Sequence, residues 1–161
     1  MNISTESGRS RRRRATSLSA AGLCAALSFA AHAFAIEFRS VSDAGAVLYD
    51  SPSTNGRKLY IVSRGYPLEV VVTLENWVKV RDASRAISWI ERKVLGDKRM
   101  VLVTAVTANV HQSAASNSAL SFKAARDVVL EYVEPGPPGW IKVRHRDGQS
   151  GFVQSAEVWG L

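Results

Sequence analysis

Gly139 to Gln154 reads GWIKVRHRDGQSGFVQ: a Trp opens a short strand, a charged Gly-containing turn follows, and Gly-Phe-Val opens the next strand. Sixty-three positions upstream, Trp77 to Glu91 reads WVKVRDASRAISWIE, and this offset sets Trp77 against Trp140, Val80 against Val143, Trp89 against Phe152 and Ile90 against Val153. Two copies of one small module follow from that alignment. Each is near the lower size at which a domain folds alone, so the copies are expected to lean on each other.

Outward from the repeat, the first 35 residues belong to neither copy. They carry a basic run (Arg9, Arg11 to Arg14), an uncharged Ala-rich run from Leu18, and Ala33-Phe34-Ala35. This order is that of a secretory signal peptide, with cleavage expected after Ala35 and a periplasmic or secreted product. Leu18 to Ala35 spans 18 residues, near the lower limit for crossing a bilayer, so an uncleaved anchor is the competing reading. Ala contributes little transfer energy compared with Leu or Ile, which favours cleavage and no stable membrane insertion.

Loss of that segment changes the electrostatics. Five Arg and one Glu leave with it, so the formal charge falls from +7 to about +3, with 16 basic and 13 acidic side chains remaining. Export and mild charge together argue against a nucleic-acid partner. Cys24, the only cysteine, also leaves, and packing must stabilise the remainder without a disulfide.

Ala46 to Asp50, Lys58 to Ser63, Leu68 to Leu74, Trp77 to Arg81 and Ile87 to Glu91 read as five short strands in the first copy. Ser51 to Gly56, Arg64 to Pro67 and Asp82 to Arg85 read as turns between them. By the two-residue period, Val70, Val72 and Leu74 share one face. The second copy repeats the order over Ala108 to Gln112, Leu120 to Lys123, Val128 to Val133, Trp140 to Arg144 and Gly151 to Gln154. Its Gly65 turn becomes Ala125-Arg126-Asp127, and its Glu75-Asn76 turn becomes a longer, stiff loop from Glu134 to Gly139. Met100 to Val106 is apolar throughout and is expected to run as a strand from one module into the next, after a single helical turn at Glu91 to Leu95. The fold class is all-β, two tandem small antiparallel barrels: residues 1–35 the leader, 36–99 the first barrel and 100–161 the second.

These motifs resemble the bacterial SH3 family. The first copy shows AVLYDSPS, RGYPLEVV, WVKV and SWI, and the second shows ANVHQSAA, WIKV, DGQSGFV and a closing Val158. The resemblance covers nearly all of residues 45–160 and departs from the family pattern at Ser88, where Gly is usual, at Phe152, where Trp is usual, and in the second copy's loss of the turn glycine, where Ala125-Arg126-Asp127 stands. It implies an SH3-like fold and a binding role at the cell envelope, toward peptidoglycan or a peptide. The alternative is a structural or adaptor protein that docks to another envelope protein.

Strand parity places Val78 and Val80 on one face of their strand and Trp77, Lys79 and Arg81 on the other. Trp140, Lys142 and Arg144 are set likewise against Ile141 and Val143. A core on the Val side therefore puts both Trp residues on cationic outer faces. The candidate ligand-binding residues are Tyr49, Tyr66, Trp77, Lys79 and Trp89 in the first copy and Trp140, Lys142 and Phe152 in the second. The competing reading is that these aromatics cover a barrel's open side or the contact between copies, because small β domains use Trp to enlarge a thin core. His111 and His145 are the only histidines after residue 35, and no nucleophile–base pair or metal-ligand set can be assembled. The expectation is a non-enzymatic protein without cofactor or metal.

Overall fold

The computed structural model describes residues 36–161; the expected leader and its expected cleavage after Ala35 lie outside the described residues. The first sheet comprises β1 (Phe38–Val41), β2 (Gly45–Tyr49), β3 (Lys58–Ser63), β4 (Pro67–Thr73), β5 (Trp77–Arg81), β6 (Ile87–Glu91) and β7 (Leu95–Gly96). The second comprises β8 (Met100–Val103), β9 (Thr107–His111), β10 (Leu120–Ala125), β11 (Val129–Pro135), β12 (Trp140–Arg144), β13 (Ser150–Gln154) and β14 (Val158–Trp159). Their orders are β3-β2-β6-β5-β4-β1-β7 and β10-β9-β13-β12-β11-β8-β14. The two topologies are the same, each strand replaced by its counterpart seven places on. All pairings among them are antiparallel, as expected for two tandem SH3-like barrels.

Each barrel closes on its own apolar cluster. Val41, Ala46, Leu48, Val62, Leu68, Val78, Val80 and Ile90 fill the first, and Val101, Val103, Ala108, Val110, Ala124, Leu130, Ile141, Val143, Val153 and Val158 the second. Most are β-branched or aliphatic residues alternating with polar ones, the pattern that lets a short strand bury one face.

Four features differ from the sequence expectation, each for a physical reason. Each barrel has seven strands rather than five, because Phe38–Val41 and Leu95–Gly96 pair with each other and extend the sheet beyond β4. Only Met100–Val103 of the apolar run is strand; it is the counterpart of β1, and the chain then bends as Thr104 and Ala105 donate their amides to the Glu157 carbonyl. In β4 the register slips between Val70 and Val72, so Val70 faces Val80 while Val72 faces Lys79. This β-bulge absorbs Val71 and carries Val72 off the face it would share with Val70 by simple alternation. Finally, Glu134 and Pro135 belong to β11, so the second copy's turn is only Gly136 to Gly139, closed by the Gly136 amide on the Trp140 carbonyl. The single helical turn expected near Glu91 is a 3-10 turn at Arg92–Val94, and Ser155–Glu157 repeats it.

The turns between β3 and β4 and between β10 and β11 show how the copies diverged. Gly65 and Asp127 both take a left-handed conformation, at φ 80° and 67°. Tyr66 donates its amide to Ser63 and Val128 donates its amide to Ala125 in matching fashion. Gly65 has a second constraint, because the other barrel presses on it: a Cβ there would lie 3.1 Å from Val129 Cγ1 and 3.2 Å from Met100 Cε. Asp127 is exposed, so its side chain has room. The barrels also meet where the Phe38 and Trp159 rings stack edge-on at 5.0 Å.

Exchanging these two turn residues separates backbone strain from crowding. Gly65→Asp should lower stability by about 1–2 kcal/mol, from left-handed strain and contact with Val129. Asp127→Gly should leave stability equal or slightly raised. Thermal melts of the two variants check this; a Gly65→Asp loss no larger than the Asp127→Gly gain would mean that the barrels do not press together at Gly65.

Candidate aromatic and cationic site

The site is built on β5 and β6. Val78 and Val80 are buried at 3% and 0% exposure, which turns Trp77, Lys79 and Arg81 outward, as strand parity predicts. Pairing of β5 with β6 sets Lys79 opposite Trp89, and pairing of β2 with β6 sets Tyr49 opposite Trp89. Tyr49, Trp77, Lys79 and Trp89 therefore occupy one outer face. Tyr49 meets Trp77 edge-on at 5.4 Å, and Lys79 Nζ lies 5.6 Å from the centroid of the Trp89 ring. Tyr49 is itself buried, whereas Trp77, Lys79 and Trp89 are partly exposed. The tyrosine is thus the floor of the cluster rather than its surface.

Beside Trp77 a cleft of about 700 Å³ is lined by residues that include Pro52, Thr54, Asn76, Glu91 and Lys93. The loop forming one wall is held by Asp50, whose carboxylate accepts the Arg57 amide at 3.0 Å. The opposite end of β5 is closed by Asp82, which accepts the Ser84 and Ala86 amides at 2.8 and 3.0 Å. Those bonds support the left-handed Arg85 at φ 71°. Such a side-chain-to-backbone turn is characteristic of Asp.

Tyr66 is not part of this cluster. It packs against the first barrel's core, toward the Asp82 to Arg85 turn. Burial raises its phenol pKa, opposed by a hydrogen bond with the Ala83 backbone and reinforced by the nearby Asp82 and Asp127 carboxylates. The sequence placed it near Trp77 because both are aromatic, but they stand at opposite ends of the strand.

The second barrel repeats the arrangement with different chemistry. Trp140 and Lys142 face outward from β12, and Lys142 Nζ lies 5.9 Å from the Phe152 ring. The place of Tyr49 is taken by His111, which pairs with Phe152 and meets Trp140 edge-on at 5.6 Å. His111 is the site residue that sequence reasoning missed; the signal was its alignment in ANVHQ against AVLYD. Its Nδ1 lies 2.9 Å from the Ser118 carbonyl. His145, by contrast, belongs to a turn. The Asp147 carboxyl is held down to about 2, first by the Gln149 backbone amide, then by the Gln149 side chain and by His145.

Ser88 and Gly151 occupy equivalent positions opposite Val80 and Val143. A Cβ at Gly151 would lie 2.4 Å from the His111 carbonyl oxygen, so glycine is required there. Ser88 is buried, and its hydroxyl has no hydrogen-bond partner among the described residues. An unpaired buried hydroxyl is destabilising. Ser88→Ala should therefore raise stability by about 1 kcal/mol, read as a higher midpoint in urea at unchanged slope. A lowered midpoint would mean that the hydroxyl has a partner in solution.

A cleft of about 790 Å³ also lies between the barrels, lined by residues that include Arg64, Lys98, Asp127, Glu131, Arg144 and Arg146. Among the described residues no three His, Cys, Asp or Glu side chains are grouped to hold a metal ion, and no helix is long and apolar enough to cross a membrane.

Two like barrels, each presenting aromatic rings and cations on an outer face, define a tandem SH3-like protein. Residues 42–97 and 104–160 each match the bacterial SH3 domain family, and the chain belongs to that family of binding domains. No curated protein matches the chain. Among solved structures it is similar to NlpC2 from Trichomonas vaginalis, at 13% identity and a TM-score of 0.35 over 76% of this chain and 46% of that one. It is similar to NlpC1 from the same organism at 12% and 0.36, over 77% and 45%. An NlpC/P60 family protein from Bacillus cereus is similar at 14% and 0.35, over 76% and 56%. The chain thus covers about half of the length of each of these structures.

Proposed function

We propose that this protein is an exported, non-enzymatic binding module of the bacterial cell envelope, whose first barrel contacts peptidoglycan or an extended peptide through Trp77, Lys79 and Trp89. The observation that supports this reading is the clustering of partly exposed Trp77, Lys79 and Trp89 over a buried Tyr49, beside an open cleft. Aromatic rings receive extended chains without requiring one side-chain sequence, and a cation among them adds a charge contact. The leader-like first 35 residues supply the address.

A second reading rests on β3, which is the edge of the first sheet. It leaves Tyr60 and Ile61 at 63% and 79% exposure, so an adaptor could take another envelope protein's strand there. Sedimentation with insoluble peptidoglycan separates the two readings, because edge pairing with a protein does not need the cell wall.

Trp77→Ala should lower peptidoglycan binding about tenfold or more while costing about 1 kcal/mol of stability, the scale of its edge contact with Tyr49. Val80→Ala, on the buried face, should cost about 2 kcal/mol and leave binding by the folded fraction unchanged. If Trp77→Ala melts as Val80→Ala does and still binds, Trp77 belongs to the core. For the address, intact mass of protein recovered from the periplasm or medium should correspond to a chain beginning at Ile36. Retention of residues 1–35 in a membrane fraction would favour the anchor.

A further inference from the structure

The duplication allows each position of one face to be compared with its twin in the same chain. After the bulge in β4, Val72 lies opposite Lys79; after the equivalent bulge in β11, Glu134 lies opposite Lys142. The two lysines are otherwise alike, each over an aromatic ring of the neighbouring strand. Their partners are not. Lys142 Nζ is bonded to Glu134 Oε1 at 2.8 Å, whereas Lys79 has no carboxylate partner among the described residues.

Other charges near the first face are only partly paired: Lys58, opposite Tyr49, and Arg92 and Glu75, which line the cleft, have no ion-pair partner among the described residues. Arg81 is bonded to Glu69, and Lys93 meets Glu91 at 2.5 Å. Lys79 differs from Lys58 and Arg92 in its seat, opposite Val72 on one side and over the Trp89 ring on the other. In the second barrel the unpaired cation of β12 is instead Arg144, which lines the cleft between barrels while Glu131 is taken by Lys98.

Resting on the binding role proposed above, we infer that Lys79 anchors a carboxylate of the ligand, and that Glu134 occupies the equivalent anchor in the second barrel and closes it to such ligands. A carboxylate on the same chain competes at a high effective concentration, so a ligand must displace Glu134 to reach Lys142. Val72 offers no such competition. Its apolar surface and the Trp89 ring also exclude some water around Lys79, which strengthens a charge contact made there. The ligand class is a carboxylate-bearing chain, and the first barrel is the copy that takes it.

Two measurements test this with the purified protein. In the first, the indole NMR signals, assigned through Trp→Phe variants, are followed while N-acetylalanine or its neutral amide is added to tens of millimolar. The carboxylate should shift the Trp89 signal and leave that of Trp140 in place, and the amide should shift neither. Lys79→Met and Val72→Glu should abolish the Trp89 shift, Lys142→Met should leave it intact, and Glu134→Val should create a shift at Trp140. A Trp89 signal unmoved by the carboxylate, or moved equally in Lys79→Met, overturns the inference whatever the protein does with cell wall.

In the second measurement, peptidoglycan with intact or amidated carboxyl groups is sedimented with wild type, Lys79→Met, Val72→Glu and Trp77→Ala. Amidation, Lys79→Met and Val72→Glu should each weaken binding about five- to tenfold. If Trp77→Ala loses binding while Lys79→Met and amidation have no effect, the aromatic face binds but the carboxylate assignment is wrong. If wild type does not sediment yet the Trp89 shift is seen, the carboxylate anchor stands and the cell-wall ligand is wrong.

Discussion

Everything on the outer face of each barrel depends on two buried valines. Val80 and Val143 are fully enclosed, with Val78 and Ile141 nearly so. A strand has only two faces, so committing those residues to the core sends Trp77, Lys79 and Arg81, and likewise Trp140, Lys142 and Arg144, to the outside. A one-residue slip would bury two cations and a Trp in place of two valines. The cost of burying unpaired charge makes the register close to unique.

The same constraint, applied twice, leaves the chain free to vary what the outer positions carry. Where one barrel has Tyr49, Trp89 and Val72, the other has His111, Phe152 and Glu134. The cores remain interchangeable in kind, but one lysine faces an apolar neighbour and the other an acid. Duplication has kept the scaffold and separated the surfaces.

Contact between the barrels accounts for other differences. Glycine is needed at Gly65, where Met100 and Val129 of the second barrel approach, while an exposed Asp127 holds the same backbone conformation. Trp159, in β14 and outside the candidate set, meets Phe38 of the first barrel. Domains of this size bury a modest fraction of their surface, and an apolar contact between two of them adds burial that neither has alone.

The repeat, the all-β class and the inward and outward sides of β5 and β12 were legible in the sequence, because buried valines in alternation with polar residues leave a local signature that needs no partner strand. The bacterial SH3 resemblance could be read from the same motifs. Tertiary structure alone decided the rest. The bulge at Val71 is imposed by pairing with β5, and no local pattern distinguishes a bulged Val-rich strand from a regular one. Phe38–Val41 and Leu95–Gly96 are too short to announce themselves and exist as strands because they pair with each other. Tyr66 and Tyr49 are equally aromatic in sequence, yet one lies toward the far end of β5 and the other beneath Trp77. Glu134 read as part of a proline-rich loop; cross-strand register alone places its carboxylate on Lys142, because that contact joins positions whose distance is set by the sheet rather than by the chain between them.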